Sequence, residues 1–384
     1  MTENAKKMSA LKVAGIVGAI LAVVGIVFWM KQLSGGMVQT GMRNLDSWGL
    51  YITNFMFFEG LSAGGLIISS IPKAFGIEGF GNISKIAVWT AICCTVAAIG
   101  FVIVDLGGPA RVWELFVYSN LSSPLMWDII VLLVYLILSI VLLWAMAGEE
   151  KGKVSHTALR VLSVISLVTA VMVHTVTAWI FGLQPSHELW YTALLGPWFV
   201  SSALVCGTAL VMVVVIALRK AGRIELDQAN VVKMAKLLGA FIAVDLYFFA
   251  CDLLTSGFPQ GAGAELVKML TAGPLAAFFW IEVIGCIIAA VICFVPSLRK
   301  NSLLVVAAIL AIIGIFCKRV QLLVGGFQQP NIDLPTVVTP YTQTANTVGN
   351  LVYWPTGIEW MVTLGVIGLA AALLCFGLDR ICKK

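Results

Sequence analysis

Ten runs of apolar residues, each long enough to cross a bilayer as a helix, dominate this chain of 384 residues. They cover roughly 11–30, 50–71, 84–104, 125–146, 159–181, 195–218, 232–255, 272–295, 303–324 and 357–379. At about 1.5 Å of rise per residue, about 20 residues span a hydrocarbon layer ~30 Å thick. The runs are continuously apolar and do not alternate, which argues against barrel strands and predicts helices that close their backbone hydrogen bonds internally. With 60% apolar and only 11% charged residues, the chain is excluded from the soluble enzymes, the disordered proteins and the nucleic-acid binders. The expected fold class is all-α and integral to the membrane, with about ten transmembrane helices.

An even number of spans puts both termini on one side. The amino terminus, the even-numbered loops and the carboxyl tail hold 18 of the 24 Lys and Arg residues. The odd-numbered loops hold only Lys31, Arg43, Arg111 and Lys268, while Lys318 and Arg319 lie inside the ninth span. Basic residues collect in cytoplasmic loops, so both termini are expected to be cytoplasmic. The same bias accounts for the formal charge of +5 without a polyanionic partner. The first run follows Lys6 and Lys7, but its flank MKQLSGG lacks a small-x-small cleavage site, so a retained signal anchor is expected. None of the nine cysteines forms a CxxC, and neither a disulfide framework nor an iron–sulfur site is expected from them.

Function in such a chain rests on its few ionisable residues at membrane depth, each costing at least about 2.5–3.5 kcal/mol when charged. Glu59 falls near the middle of the second span, Asp105 ends the third, and Asp128 lies just inside the outer end of the fourth. His174 sits two turns from the outer end of the fifth, in VMVHTVTAW. Asp245 and Glu282 are near the middles of the seventh and eighth, and Asp252 is near the outer end of the seventh. One expectation is structural pairing, for example of Asp252 with Lys318 or Arg319. Glu59, Asp128, Asp245 and Glu282 have only those two cations nearby, so some of these acids are expected to be protonated and to handle protons at an outward-facing site. A bis-histidine haem is not expected. His156 and His174 are too far apart along the chain, and a helix end separates His174 from His187.

Small residues mark two places for close helix contact: Gly60, Ser62, Ala63, Gly64 and Gly65, then Ser201, Ser202, Ala203, Gly207 and Thr208. They lie four spans apart and run in the same direction. Ser123-Pro124-Leu125 entering the fourth span is echoed by Gly273-Pro274-Leu275 entering the eighth, which suggests a parallel repeat of four spans plus four. The ninth loop, about 325–356, carries no Lys or Arg but has Pro330, Pro335 and Pro340. A loop of that length is expected to be functional or shaped by a partner.

The segment Asp105-Leu106-Gly107-Gly108-Pro109-Ala110-Arg111-Val112-Trp113, followed by Ser123-Pro124-Leu125-Met126-Trp127-Asp128, resembles the D-L-G-x-P-x-R-x-W … S-P-M-x-W signature of the NrfD/PsrC family. These are quinone-interacting membrane subunits of respiratory oxidoreductases. Trp48-Gly49-Leu50-Tyr51 and Gly60-Leu61-Ser62-Ala63-Gly64-Gly65 look like the family's opening helix, and Trp190-Tyr191-Thr192-Ala193-Leu194-Leu195-Gly196-Pro197 looks like its W-x-T-x-L-L-x-P motif. The resemblance covers roughly 46–320. Ten spans are similar to the long branch found in some hydrogenases, the alternative complex III and the Dsr complex. Gly108 replaces the usual Arg of D-L-G-R-P.

The resemblance implies two four-helix bundles. Residues 49–181 would form the first, with the quinone site, and 182–324 the second; 1–48 would be an anchor helix with an outer loop, and 325–384 a long outer loop with a C-terminal helix. It also implies a menaquinone or menaquinol pocket at the outer face, beneath a ferredoxin-like iron–sulfur subunit that passes electrons to catalytic or cytochrome subunits. This chain itself would ligate no haem and no cluster. The location implied is the cytoplasmic membrane of a bacterium or archaeon. By position, His174 and Asp128 match the family's buried histidine and the acid after its S-P-M motif, while Asp105, Arg111 and Trp113 belong to its signature loop.

The expected mechanism is quinol chemistry with coupled proton transfer. His174 suits one quinone carbonyl because neutral imidazole donates a hydrogen bond and exchanges a proton near neutral pH. Asp128 is expected as the second partner or as the group that orients His174. Tyr51, Asn54, Trp127 and Tyr191 are expected as pocket walls, and Glu59, Asp105, Asp245, Asp252 and Glu282 as proton-transfer groups. The rival reading is a secondary transporter that binds a cation and solute at midplane acids. It sits less well with a parallel repeat and spans that lack central Gly-Pro breaks.

Overall fold

The computed structural model describes residues 10–43, 46–75, 81–259, 261–328 and 353–382, and among them every regular element is a helix. In chain order these are α1 (Ala10–Gly35), α2 (Leu50–Phe75), α3 (Gly81–Asp105), α4 (Glu114–Val117), α5 (Pro124–Glu149) and α6 (His156–Gly182). Then come α7 (Leu195–Lys220), α8 (Gln228–Gly257), α9 (Ala262–Ala272), α10 (Ala276–Phe294), α11 (Asn301–Phe327) and α12 (Gly357–Ile381). All but α4 and α9 are long and apolar enough to span a bilayer, giving the ten membrane-spanning helices that the apolar runs predict.

Helices α2, α3, α5 and α6 pack in a closed ring, each against two of the others. So do α7, α8, α10 and α11. The rings meet where α2 lies along α7, and α11 and α6 reach across the same seam. Outside them α1 and α12 lie along each other, with α12 resting on α3.

Helix α2 is central for a physical reason. Its mean hydropathy over the spanning window is 1.3, against 3.0 for α5, yet its window is the most buried of the ten. Lipid solvates an apolar face well and a polar one poorly, so the span carrying Thr53, Asn54, Glu59 and Ser62 is enclosed by its neighbours. Its small residues then let α7 approach. A Cβ added to Gly64 would stand 2.9 Å from Gly207 Cα, so the two backbones touch at this crossing. The α1–α12 pair uses the same device: a Cβ on Gly18 would meet the Gly368 carbonyl oxygen at 2.6 Å.

One end of the molecule is basic, with Lys151, Arg219, Lys220, Arg223 and Arg299 at its turns. At the opposite end, the start of α12 is fastened to the segment before α2. Thr356 caps the helix and Glu359 closes a capping box with it. Glu359 also accepts from the Gly41 amide at 2.6 Å and from the Tyr353 hydroxyl, and that hydroxyl accepts from the Leu50 amide at 2.8 Å. Burial and the adjacent Glu359 hold the Tyr353 phenol well above its ordinary range. The greater part of the ninth loop, 329–352, lies outside the described residues.

Candidate functional site

The chain between α3 and α5 makes the roof of a cleft at the end opposite the basic turns. Gly107-Gly108-Pro109 turns it out of α3, a single 3₁₀ turn covers Pro109–Arg111, and α4 follows. Pro124 then starts α5, where its missing amide hydrogen costs nothing. Arg111 forks onto Glu114 at 2.8–2.9 Å on the surface. Trp127 donates from Nε1 to the Leu121 carbonyl at 2.6 Å, tying the loop to α5. The roof contributes Val112, Leu115 and Phe116 to the cleft beneath it.

The cleft has a volume of about 260 Å³ between α2, α3, α5 and α6. Trp48, Phe55, Val102, Leu132 and Phe181 form much of its apolar wall. Its only ionisable lining groups among the described residues are Asp105 and Asp128. Asp105 Oδ1 is buried without a hydrogen-bond partner there. The volume lies just below the ~300–1,000 Å³ usual for small-molecule sites, and the lining has their usual make-up of apolar walls with few polar groups. Asp46, in the segment before α2, is 3% exposed, and burial pushes its carboxyl up to about 6.

Behind the wall, Asp128 meets a second acid through one hydroxyl. Thr177 Oγ1 stands 2.6 Å from Asp128 Oδ1, 2.7 Å from Glu59 Oε1 and 2.9 Å from the Val173 carbonyl oxygen. All three side chains are essentially buried. Glu59 Oε2 has no partner among the described residues. His174 lies one turn before Thr177 on α6. Neither of its ring nitrogens has a hydrogen-bond partner among the described residues, and its ring packs 6.2 Å from that of Phe199. A Cβ on Gly60 would stand 3.3 Å from His174 Nε2, so the imidazole fits closely against α2 at that glycine. Arg319 lies over Phe199, its guanidinium carbon 3.7 Å from the ring centroid, and donates to Ser202 Oγ at 2.7 Å.

A second polar cluster sits inside the α7–α8–α10–α11 ring. Lys318 makes a buried ion pair with Asp245 and lies 3.3 Å from Glu282 Oε1. Ser201 donates to Asp245 at 2.9 Å, and Gln321 donates to Glu282 at 3.1 Å. The ammonium also lies 4.6 Å from the Trp198 ring centroid.

The structure thus brings Asp105 and Asp128 to one cleft, Glu59 behind it, and Asp245 and Glu282 to a separate ion cluster. The expected pairing of Asp252 with Lys318 or Arg319 is corrected: Lys318 is taken by Asp245 and Glu282, Arg319 bonds Ser202, and Asp252 sits beside the Thr192 hydroxyl. Depth on α8 decides it, because Asp245 lies level with Lys318 and Asp252 about two turns beyond. The other expected site residues stand apart from the cleft. Tyr51 donates to Gln32 at 2.6 Å, and Asn54 donates to the Leu50 carbonyl at 2.7 Å. Trp127 packs edge-on to Trp179, while Tyr191, Arg111 and Trp113 are exposed. Thr177 and Phe181 escape sequence reading, and Trp48 enters it only as part of the opening-helix motif and not as a pocket wall. The one signal for Thr177 is its place one turn from His174 on the same helix face.

The buried neighbour of Tyr191 has a structural part. Trp190 donates to the Leu322 carbonyl at 2.7 Å and packs against Phe181 at 5.2 Å, joining α11 to the cleft wall.

The profile of the family described as polysulphide reductase, NrfD, matches residues 38–331. The chain is 30% identical to a putative dimethyl sulfoxide reductase membrane subunit of Halobacterium salinarum, over 94% of this chain and 88% of that one. It is 28% identical to a selenate reductase subunit of Mesobacillus selenatarsenatis, over 92% of this chain and 90% of that one. The Hdr-like menaquinol oxidoreductase integral membrane subunit of Archaeoglobus fulgidus is 27% identical, over 93% of this chain and 90% of that one.

Proposed function

The chain belongs to the polysulphide reductase NrfD family of multi-pass membrane subunits, and we propose that it is the menaquinone-reactive subunit of a respiratory oxidoreductase complex, with the quinone site in the cleft under the 106–126 loop. The observation that carries this reading is the cleft itself: apolar walls, two carboxyls, and one of them, Asp128, in contact with a buried hydroxyl behind it. An apolar ring bearing two oxygens fits such a wall, and the unpartnered Asp105 Oδ1 is suited to one of them. A menaquinol bound there would supply two electrons and two protons on oxidation. Asp128 accepts a proton from the cleft and exchanges it with Thr177. His174 belongs to the polar set behind the wall rather than to the lining, and acts with Glu59 and Arg319 on the charge held there.

We read the two packed rings as the two bundles of a parallel repeat, spanning 49–181 and 182–324, and the basic end as cytoplasmic in the inner membrane of a bacterium or archaeon. The cleft then opens at the outer face. An iron–sulfur partner subunit docks there, over the exposed Trp113, Phe116, Val117, Tyr118 and Leu121, and links the site to the remaining subunits.

The test is binding and oxidation of a menaquinol analogue by the assembled complex, with Asp128→Asn and His174→Ala beside the wild type. Asp128→Asn is expected to slow oxidation by about a hundredfold, in the range for loss of a general base, with assembly intact. Analogue binding and turnover like wild type in both variants would move the site out of this cleft, toward Asp245 and Glu282.

A further inference from the structure

We propose that Thr177 is the joint of a proton relay, in which its hydroxyl lets the Asp128 carboxyl at the cleft wall and the Glu59 carboxyl behind it share one proton. The relay deepens the quinone reading, which supplies its proton source, but the sharing itself follows from the atoms around Oγ1.

Those atoms are Asp128 Oδ1 at 2.6 Å, Glu59 Oε1 at 2.7 Å and the Val173 carbonyl oxygen at 2.9 Å. With both acids ionised all three would be acceptors, and a hydroxyl has a single hydrogen. At least two contacts would then set lone pair against lone pair in a site with almost no solvent exposure. When one carboxyl keeps its proton, that acid donates to Oγ1, the Thr177 hydrogen goes to the other carboxylate or to Val173, and a single unfavourable contact is left. With both acids protonated none is left, so the charge count has to choose between one proton and two. Nothing in the distances favours one acid over the other, since the two differ by only 0.1 Å.

Charge favours one proton. Arg319 on α11 is a cation whose field reaches Glu59 and also Asp245 and Glu282. Four buried carboxyls thus share two cations, and one proton in each pair of acids leaves the whole neutral. Arg319 makes no ion pair among the described residues. Lys318 is held by Asp245 and Glu282. Two carboxyls with one proton and one guanidinium sum to zero, the cheapest charge for a group of this size inside a membrane protein. The remaining polar neighbours are His174 on α6, which lies against α2 at Gly60, and uncharged phenol and hydroxyl groups: Tyr135 on α5 and Thr95 on α3 meet at Ser62, one turn along α2 from Glu59.

Transfer conserves every atom. The Asp128 O–H bond breaks as its hydrogen joins Oγ1, and the Thr177 O–H bond breaks as its own hydrogen joins Glu59 Oε1. Asp128 is left a carboxylate, Thr177 is again a hydroxyl, and Glu59 has become the acid. One proton has moved from the cleft wall to the interior, and rotation of the hydroxyl resets the joint. Valine has the shape of threonine without the hydroxyl, whereas serine keeps it.

The experiment compares wild type, Thr177→Val, Thr177→Ser, Glu59→Gln and Asp128→Asn in the assembled complex by infrared spectroscopy of carboxyl stretches and by menaquinol-analogue oxidation. Wild type should show a hydrogen-bonded carboxylic-acid band that Glu59→Gln or Asp128→Asn removes, that Thr177→Val shifts and that Thr177→Ser retains. Thr177→Val should slow oxidation by about tenfold or more, with analogue affinity kept within about twofold, and Thr177→Ser should restore most of the rate. Wild type without such a band, or Thr177→Val with unchanged band and rate, overturns the relay. If wild type binds no analogue, the quinone reading falls while the infrared comparison still decides the shared proton.

Discussion

Lys318 and Arg319 are consecutive on α11, yet they face different buried acid sets. Lys318 turns into its own ring, to Asp245 and Glu282, whereas Arg319 turns to the seam, where it meets Phe199 and Ser202 of α7 and its field reaches Glu59 of α2. One step along a helix turns the side chain by about 100°, which divides the pair between two buried acid sets. The charges of the two sets are therefore fixed within a few ångströms of each other on one rigid element.

Removing the lysine should be costly for that reason. Lys318→Met leaves Asp245 and Glu282 buried without their cation. Breaking a buried pair from one side costs about 3–5 kcal/mol. The variant is expected to give a large fall in Tm or little folded protein, and Lys318→Met with Asp245→Asn should recover part of the loss. A single variant as heat-stable as wild type would show that both acids are already neutral.

Neighbouring glycines on α2 should respond differently to the same added methyl. At Gly64 a Cβ would overlap the Ala203 carbonyl oxygen and stand 2.8–2.9 Å from Ala203 C and Gly207 Cα, backbone atoms that cannot yield without moving α7. At Gly65 its nearest neighbour would be the Ala87 carbonyl oxygen at 3.4 Å, an ordinary contact. Gly64→Ala is expected to cost about 1–3 kcal/mol and Gly65→Ala little. Thermal unfolding of the two purified variants checks the difference.

Asp46 gives a pH dependence with a definite sign. Its carboxyl is raised from 3.8 to about 6 by burial, so the fold favours the neutral acid. The penalty is absent below pH 3.8, grows as pH rises toward 6, and is constant above that. Asp46→Asn, neutral at every pH, should therefore gain Tm relative to wild type as pH rises from 4 to 7. A difference that is flat over this range, or that shrinks, contradicts the burial account.

Most of the fold was legible because lipid is a severe filter. A helix must be long and apolar to cross it, and the ten runs become ten helices with ends shifted by a few residues. That Glu59, Asp128, Asp245 and Glu282 would be enclosed by other helices was legible too, since each is costly wherever it stands in a span. Their partners were not. Hydropathy gives depth along a helix but not its rotation, so the sequence could not tell Asp245 from Asp252 as the partner of Lys318. Thr177 stayed hidden because a threonine in an apolar helix commonly satisfies itself on the carbonyl one turn back, as this one also does with Val173. Tyr51, Asn54 and Tyr191 are expected in the pocket because polar aromatic and amide groups near a signature suit a ligand; none of the three lines this cleft, since Tyr51 and Asn54 are hydrogen-bonded to Gln32 and Leu50 and Tyr191 is exposed.

The cleft can be tested without touching any acid. Leu132 lines it from α5, one turn beyond Asp128, and is 6% exposed, whereas Ile137 on the same helix is 60% exposed on the outer surface. Tryptophan at 132 grows into the cleft, the nearest free volume, and occupies space an apolar ring would need. Tryptophan at 137 adds the same bulk where lipid can make room. Leu132→Trp is expected to weaken menaquinol-analogue binding by at least about tenfold, equivalent to about 1.4 kcal/mol, with Ile137→Trp near wild type. Both should assemble and keep their helical signal, because neither adds a charge or a polar group to the membrane interior. A fluorescence titration of the analogue on the two complexes reads the contrast directly. Equal affinities would mean that the head group lies outside the Leu132 wall, and the roles given to Asp105 and Asp128 would lose their geometric basis.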